Sequence, residues 1–194
     1  MNPESGAGLP LSEDDKRRLL ALARETLGAH LTAGVMPSPE RLGIEITPAM
    51  EQVMGAFVTL HKHGRLRGCI GEIEPHRPLY EVVMENAVNA GVKDYRFQPV
   101  TIEELPELDF EISALTPSRP VARSDEIVIG QHGITLEKEG RRAVFLPQVA
   151  SEQKWDLDTT LNHLSTKAGL PPDAWREGAA FTVFEAIVFG DKDI

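Results

Sequence analysis

The chain has 194 residues, 41% hydrophobic and 26% charged, enough for one sizeable globular core, or for a core with a small appended subdomain. Its formal net charge of -10 argues against general binding to nucleic acid or to anionic membranes. A single cysteine, Cys69, excludes an internal disulfide. There is no apolar run of the ~18 residues a spanning helix needs and no signal-peptide pattern at the N-terminus, so a cytoplasmic setting is predicted.

Residues 1–11 carry Pro, Ser and Gly without periodicity and are expected to form a loose tail. Ser12 offers an N-cap with Asp15 three residues on. Leu20, Ala23, Leu27 and Leu31 follow at helical spacing, which predicts an amphipathic helix over about 13–32. The basic triplet Lys16-Arg17-Arg18 lies beside Glu13, Asp14 and Asp15 and reads as a solvated, charge-compensated face. Gly55 to Gly71 reads as a β-hairpin. A three-residue loop at Lys62-His63-Gly64 would pair Leu60 with Leu66, leaving Phe57, Thr59, His61, Arg65, Arg67 and Cys69 on the other face.

Pro78 opens a second helix with Leu79, Val82, Val83, Ala87 and Ala90 as its buried stripe and Gly91 as its end. Thr101 and Glu104 form a capping box. Leu108, Phe110, Ile112 and Ala114 alternate with polar residues along a further strand, and Ile134 to Phe145 form a hairpin around Glu139-Gly140. Asp156 or Asp158 caps a helix that ends at Gly169, and an apolar strand interrupted by Glu185 closes the chain from Ala180 to Phe189. The pattern predicts an α+β fold with a mainly antiparallel sheet flanked by helices. A small hairpin-rich subdomain at about 119–147 would stand off a main one (about 12–118 and 148–194), with a cleft between them.

Chemistry concentrates on the strand Arg65-Leu66-Arg67-Gly68-Cys69-Ile70-Gly71. Cys69 is a candidate nucleophile or redox centre, with Arg67 as the neighbouring cation. The competing reading is a small buried side chain packed on Phe57. A mid-strand arginine needs a partner, and Glu111 and Glu185, each inside an apolar strand, are the candidates. An arginine not consumed that way could clamp an anionic ligand. Gly68 and Gly71 admit close approach by a ligand or by another backbone segment. Glu85 and Asn86, near the apolar stripe of the second helix, are candidate ligand contacts, or Asn86 caps loop groups inside the core. Glu72, Glu74, His76, His61 and His63 do not make a metal-ligand pattern, and no cofactor fingerprint is present.

The hexapeptide Leu66-Arg67-Gly68-Cys69-Ile70-Gly71, an LRGCIG motif, resembles the signature of the AMMECR domain family. Gly55-Ala56-Phe57-Val58-Thr59-Leu60, Glu85-Asn86-Ala87, Asp94-Tyr95-Arg96-Phe97-Gln98-Pro99-Val100, Leu146-Pro147-Gln148-Val149 and Val183-Phe184-Glu185 extend the likeness over one AMMECR-type domain from about residue 12 to 194. The resemblance implies a two-part α+β architecture. It also implies kinship with protein A of the bacterial AmmeMemoRadiSam system, whose companions are a Memo-like protein and a radical SAM enzyme. It brings no settled activity. Three expectations follow: a binding or adaptor component acting through a pocket at the motif, an enzyme with Cys69 as nucleophile or redox centre, or a structural interaction module.

Overall fold

In the computed structural model, which describes residues 9–193, the chain divides into two compact units: residues up to 115 with 187 onward, and residues 116–186. The tail expected at 1–11 lies outside the described residues up to residue 8. Beyond that, Leu11 is buried in the core of the first unit.

The first unit begins with α1 (Glu13–Ala33), capped by a reciprocal Ser12–Asp15 box and closed by Gly34 in the left-handed region. Then come β1 (Ala56–Lys62), β2 (Arg65–Glu72), α2 (Leu79–Val92) and a 3-10 turn (Ile102–Glu107), followed by β3 (Leu108–Leu115) and, at the end of the chain, β8 (Ala186–Gly190). The sheet order is β2-β1-β3-β8, so the motif strand β2 lies at an edge. Leu19, Leu22 and Leu27 of α1 and Val82, Val83 and Ala87 of α2 close over Ala56, Val58, Leu60, Phe110 and Ile112. Each of the fully buried Leu, Val, Ile and Phe side chains contributes about 1.5–3 kcal/mol over its exposed state. Gly91 does not end α2. It lies inside the helix, where an added Cβ would stand 2.7 Å from a Leu27 methyl, so its small size lets α1 pack closely.

The β1–β2 turn has two residues rather than three. His63 and Gly64, both at positive φ (52° and 75°), make the tight loop, and Lys62 faces Arg65. His61 then faces Leu66, but Leu60 faces Gly68, so Arg67 has no opposite residue. This bulge resolves the conflict that a two-residue loop creates. One extra residue in β2 brings Gly68 and Ile70 opposite Leu60 and Val58 and leaves Leu66 exposed at the turn.

The second unit holds β4 (Arg119–Val121), β5 (Gly133–Lys138), β6 (Arg141–Phe145), α3 (Pro147–Gln153), α4 (Leu157–Lys167) and β7 (Ala180–Phe184), with sheet order β4-β7-β5-β6. It extends beyond the segment expected at 119–147, because β7 pairs with both β4 and β5 and α4 buries Leu161 and Leu164 in its core. The apolar run Ala180–Phe189 is therefore not one strand. It breaks at Glu185 into β7 and β8, which belong to different sheets. The architecture is α+β with two four-stranded sheets. Among the described residues no helix is long and apolar enough to cross a membrane.

Candidate functional site

Arg67 is consumed by the scaffold. Its Nε and Nη2 donate to the two carboxylate oxygens of Glu104 at 3.3 and 2.8 Å, and Nη1 and Nη2 donate to the carbonyls of Gln98 and Pro99 at 2.8 and 3.4 Å. The fork grips the carboxylate bidentately and staples β2 to the segment leading into the 3-10 turn. Arg67 and Lys62 (3.1 Å) together hold the Glu104 carboxyl down at about 2. Neither Glu111 nor Glu185 is the partner. Glu104 was visible in the sequence as a capping-box residue, but which cation it meets depends on tertiary packing.

The bulge also separates Arg67 from Cys69. Lys62 belongs to the Ala56-Val58-Leu60 row, and it shares Glu104 with Arg67. Cys69 faces Thr59 in the alternate row, and the Thr59 hydroxyl donates to Sγ at 3.3 Å. The guanidinium is therefore committed to Glu104, Gln98 and Pro99 and the sulfur to Thr59, so the two share no partner.

The space beside both motif glycines is filled by protein. A Cβ on Gly68 would stand 2.1 Å from the Ala90 carbonyl oxygen of α2, and one on Gly71 would stand 2.4 Å from the Phe57 ring. These glycines serve backbone approach and ring packing, not ligand access. The outer edge of β2 is closed by Asp94 and Arg96, residues of the family likeness that were not among the candidate site residues. Asp94, 5% exposed, accepts from the Cys69 backbone N–H at 2.9 Å and from Arg96 Nε and Nη2 at 2.9 and 2.6 Å. Arg96 Nη2 also donates to the Cys69 carbonyl at 3.4 Å. The Arg96 guanidinium, helped by the Cys69 N–H, holds the Asp94 carboxyl far below the usual carboxylate range. This pair satisfies the Cys69 backbone groups that the edge strand leaves open and blocks another strand from pairing at that residue.

Across the sheet, Cys69 faces Thr59 and Thr59 faces Glu111, forming one transverse row on β2, β1 and β3. All three are half-buried. At ~4.8 Å between strands, the row spans about 10 Å. His61 and Ser113 share the face. The Glu111 carboxylate has no hydrogen-bond partner among the described residues.

Glu85 and Asn86 lie elsewhere, on α2. Arg77 bridges Glu85 and Glu72, with 3.0 Å to each Glu72 oxygen, and His76 Nε2 stands 3.6 Å from Glu72. Glu85 is held below the usual carboxylate range, chiefly by Arg77. Asn86 is 4% exposed, and its Nδ2 has no partner; Asn89 Oδ1 and Arg77 Nε are likewise orphaned and buried. Asn86 accepts only a long 3.5 Å bond from Asn89 and caps no loop. Glu185 belongs to the second unit, where its carboxylate accepts from Gln131 Nε2 at 2.9 Å and stands 3.9 Å from His132 Nε2. Among the described residues no three His, Cys, Asp or Glu side chains converge as a metal site would require.

Known proteins give this geometry its context. The chain is similar to a protein of Methanosarcina mazei, 37% identical over 188 residues and covering 94% of both chains. It is 40% identical to a protein of Methanocaldococcus jannaschii, covering 91% of this chain and 94% of the other. It also superposes on the crystal structure of an uncharacterized protein from Pyrococcus horikoshii with a TM-score of 0.75, at 35% identity and with 90% of each chain covered. A family-level match to AMMECR1 spans residues 20–189, the whole of both sheets but for the last residue of β8. The chain belongs to the AMMECR1 family.

Proposed function

We propose that this chain is a ligand-binding or adaptor component whose recognition surface is the Cys69–Thr59–Glu111 row. The observation that carries this reading is the unspent carboxylate of Glu111, half-buried on a strand face and matched by no donor among the described residues. Its oxygens are reached by solvent, so a ligand or partner that donates to them displaces only water. The fitting occupant carries an ammonium, amide or hydroxyl donor. An anion clamped by Arg67 is disfavoured, because that guanidinium already serves Glu104, Gln98 and Pro99. The radical SAM and Memo-like proteins implied by the bacterial resemblance are the proposed partners. That resemblance alone supports them.

Calorimetric titration of the purified chain with each of those two proteins tests the reading. One of them is expected to bind with a Kd on the order of micromolar, and Glu111→Gln to weaken it about tenfold or more while the melting temperature moves by less than about 2 °C. Absence of binding to either, or equal binding by Glu111→Gln, removes the proposal.

One observation favours the alternative, an enzyme using Cys69. The Thr59 hydroxyl donates to Sγ at 3.3 Å, a directed polar contact on the one thiol of the chain. The cation near Cys69 is Arg96 rather than Arg67, but Asp94 neutralises it. A covalent adduct on Cys69 in the intact mass of natively purified protein, lost in Cys69→Ser, is the result this alternative requires.

A further inference from the structure

His132, in the Gly130-Gln131-His132-Gly133 turn, is 5% exposed although the sequence around it is polar and glycine-rich. Its Nδ1 accepts the Val128 backbone N–H at 3.0 Å. That bond leaves Nδ1 without a proton and fixes the ring proton on Nε2. Nε2 stands 3.9 Å from the nearest Glu185 oxygen, beyond hydrogen-bond reach, so the ring N–H has no protein acceptor in reach.

The N–H borders a hollow of about 50 Å³, lined by Thr116, Arg119, His132, Val183 and Glu185 among others. At ~30 Å³ per water, this admits the tip of a ligand of two or three heavy atoms and nothing larger. Arg119 lines it from the edge strand β4, exposed and without a protein partner among the described residues. The Thr116 oxygen accepts the Glu185 backbone N–H at 2.8 Å, which leaves its own proton free to donate. Glu185 is turned aside by Gln131 Nε2 at 2.9 Å. The lining thus offers three donors, an imidazole, a hydroxyl and a guanidinium, opposed by one carboxylate already engaged.

We infer that this hollow is a binding site for a carboxylate group, with one oxygen on His132 Nε2–H and Thr116 and the other on Arg119. The guanidinium supplies the charge, and the two neutral donors supply direction. This site is independent of the Cys69–Thr59–Glu111 row: its residues all belong to the second unit, and neither site depends on the other.

The experiment is a titration of the 15N-labelled chain with sodium acetate, followed by long-range 1H–15N spectra of the imidazoles, with sodium chloride and acetamide as controls. Wild type is expected to show a saturable shift of the His132 Nε2–H signal with a midpoint of roughly millimolar acetate. Arg119→Gln, an exposed change that leaves the fold intact, is expected to raise that midpoint at least about tenfold. Glu185→Gln, which removes the opposing charge, is expected to lower it several-fold. No saturable shift, an equal response to acetamide, or a response unchanged in Arg119→Gln overturns the assignment.

Discussion

Gly68→Ala is expected to destabilise the chain by about 4 kcal/mol or more, enough to leave it largely unfolded at 37 °C. The added Cβ would stand 2.1 Å from the Ala90 carbonyl oxygen and 3.0 Å from its carbonyl carbon. Both sides of that contact are backbone, so no rotamer change relieves it. Either α2 lifts from β2, exposing Val83 and Ala87, or β2 leaves the sheet. Gly64→Ala provides the control. Nothing lies within 4 Å of its Cβ, and its φ of +75° is the sole penalty, worth about 1 kcal/mol. Urea unfolding of both variants measures the difference. Equal stability of Gly68→Ala and wild type would mean that α2 does not rest on the motif strand.

Arg67→Ala is expected to cost about 3 kcal/mol, because it strips donors from Glu104 and from the Gln98 and Pro99 carbonyls at once. Glu104→Gln is expected to lose about 2 kcal/mol, and the double variant less than the sum, since both break one network. The pH dependence follows from the depressed carboxyl. Glu104 titrates at about 2 when folded against an ordinary 4.5. Its contribution is therefore complete above the unfolded value and lost as pH falls from ~4.5 towards 2. With side chains 15% and 21% exposed, solvent screening reduces the full Coulombic value of that shift to on the order of 2 kcal/mol. Chemical unfolding between pH 2 and 7 should show wild type losing this increment and Glu104→Gln showing a shallower decline. A wild-type slope retained in Glu104→Gln would assign the acid sensitivity elsewhere, with Asp94 the next carboxylate held low.

The sequence reading of the site failed where one residue of register mattered. Alternation along β2 put Arg67 and Cys69 on a common face. The bulge that leaves Arg67 without an opposite residue has no local signal, because it reconciles a tight His63-Gly64 turn with the apolar row of β1. The partner of Arg67 was sought among acids inside strands, whereas Glu104 lies in a 3-10 turn 37 residues away. Cys69 and Glu111 were both named from sequence, and the structure brings them into one row, but with Thr59 between them and Arg67 absent. The burial of His132 has no signal in Gly130-Gln131-His132-Gly133, because burial is a property of the packed unit rather than of four residues.

Local chemistry determined much of the fold without help. The Ser12 and Asp156 caps, the Thr101–Glu104 box and the Glu139-Gly140 turn each follow from residues within a few positions, because their hydrogen bonds close over short loops. Periodicity of 2 and 3.6 fixed the α+β class. What tertiary structure alone decided is the division of the apolar run at Glu185 between two sheets, the pairing of Arg67 with Glu104, and which polar groups, the buried Asn86 amide among them, are left without a protein partner. Those depend on which distant groups arrive alongside, and the free energy of a polar side chain is set by that neighbour rather than by its place in the chain.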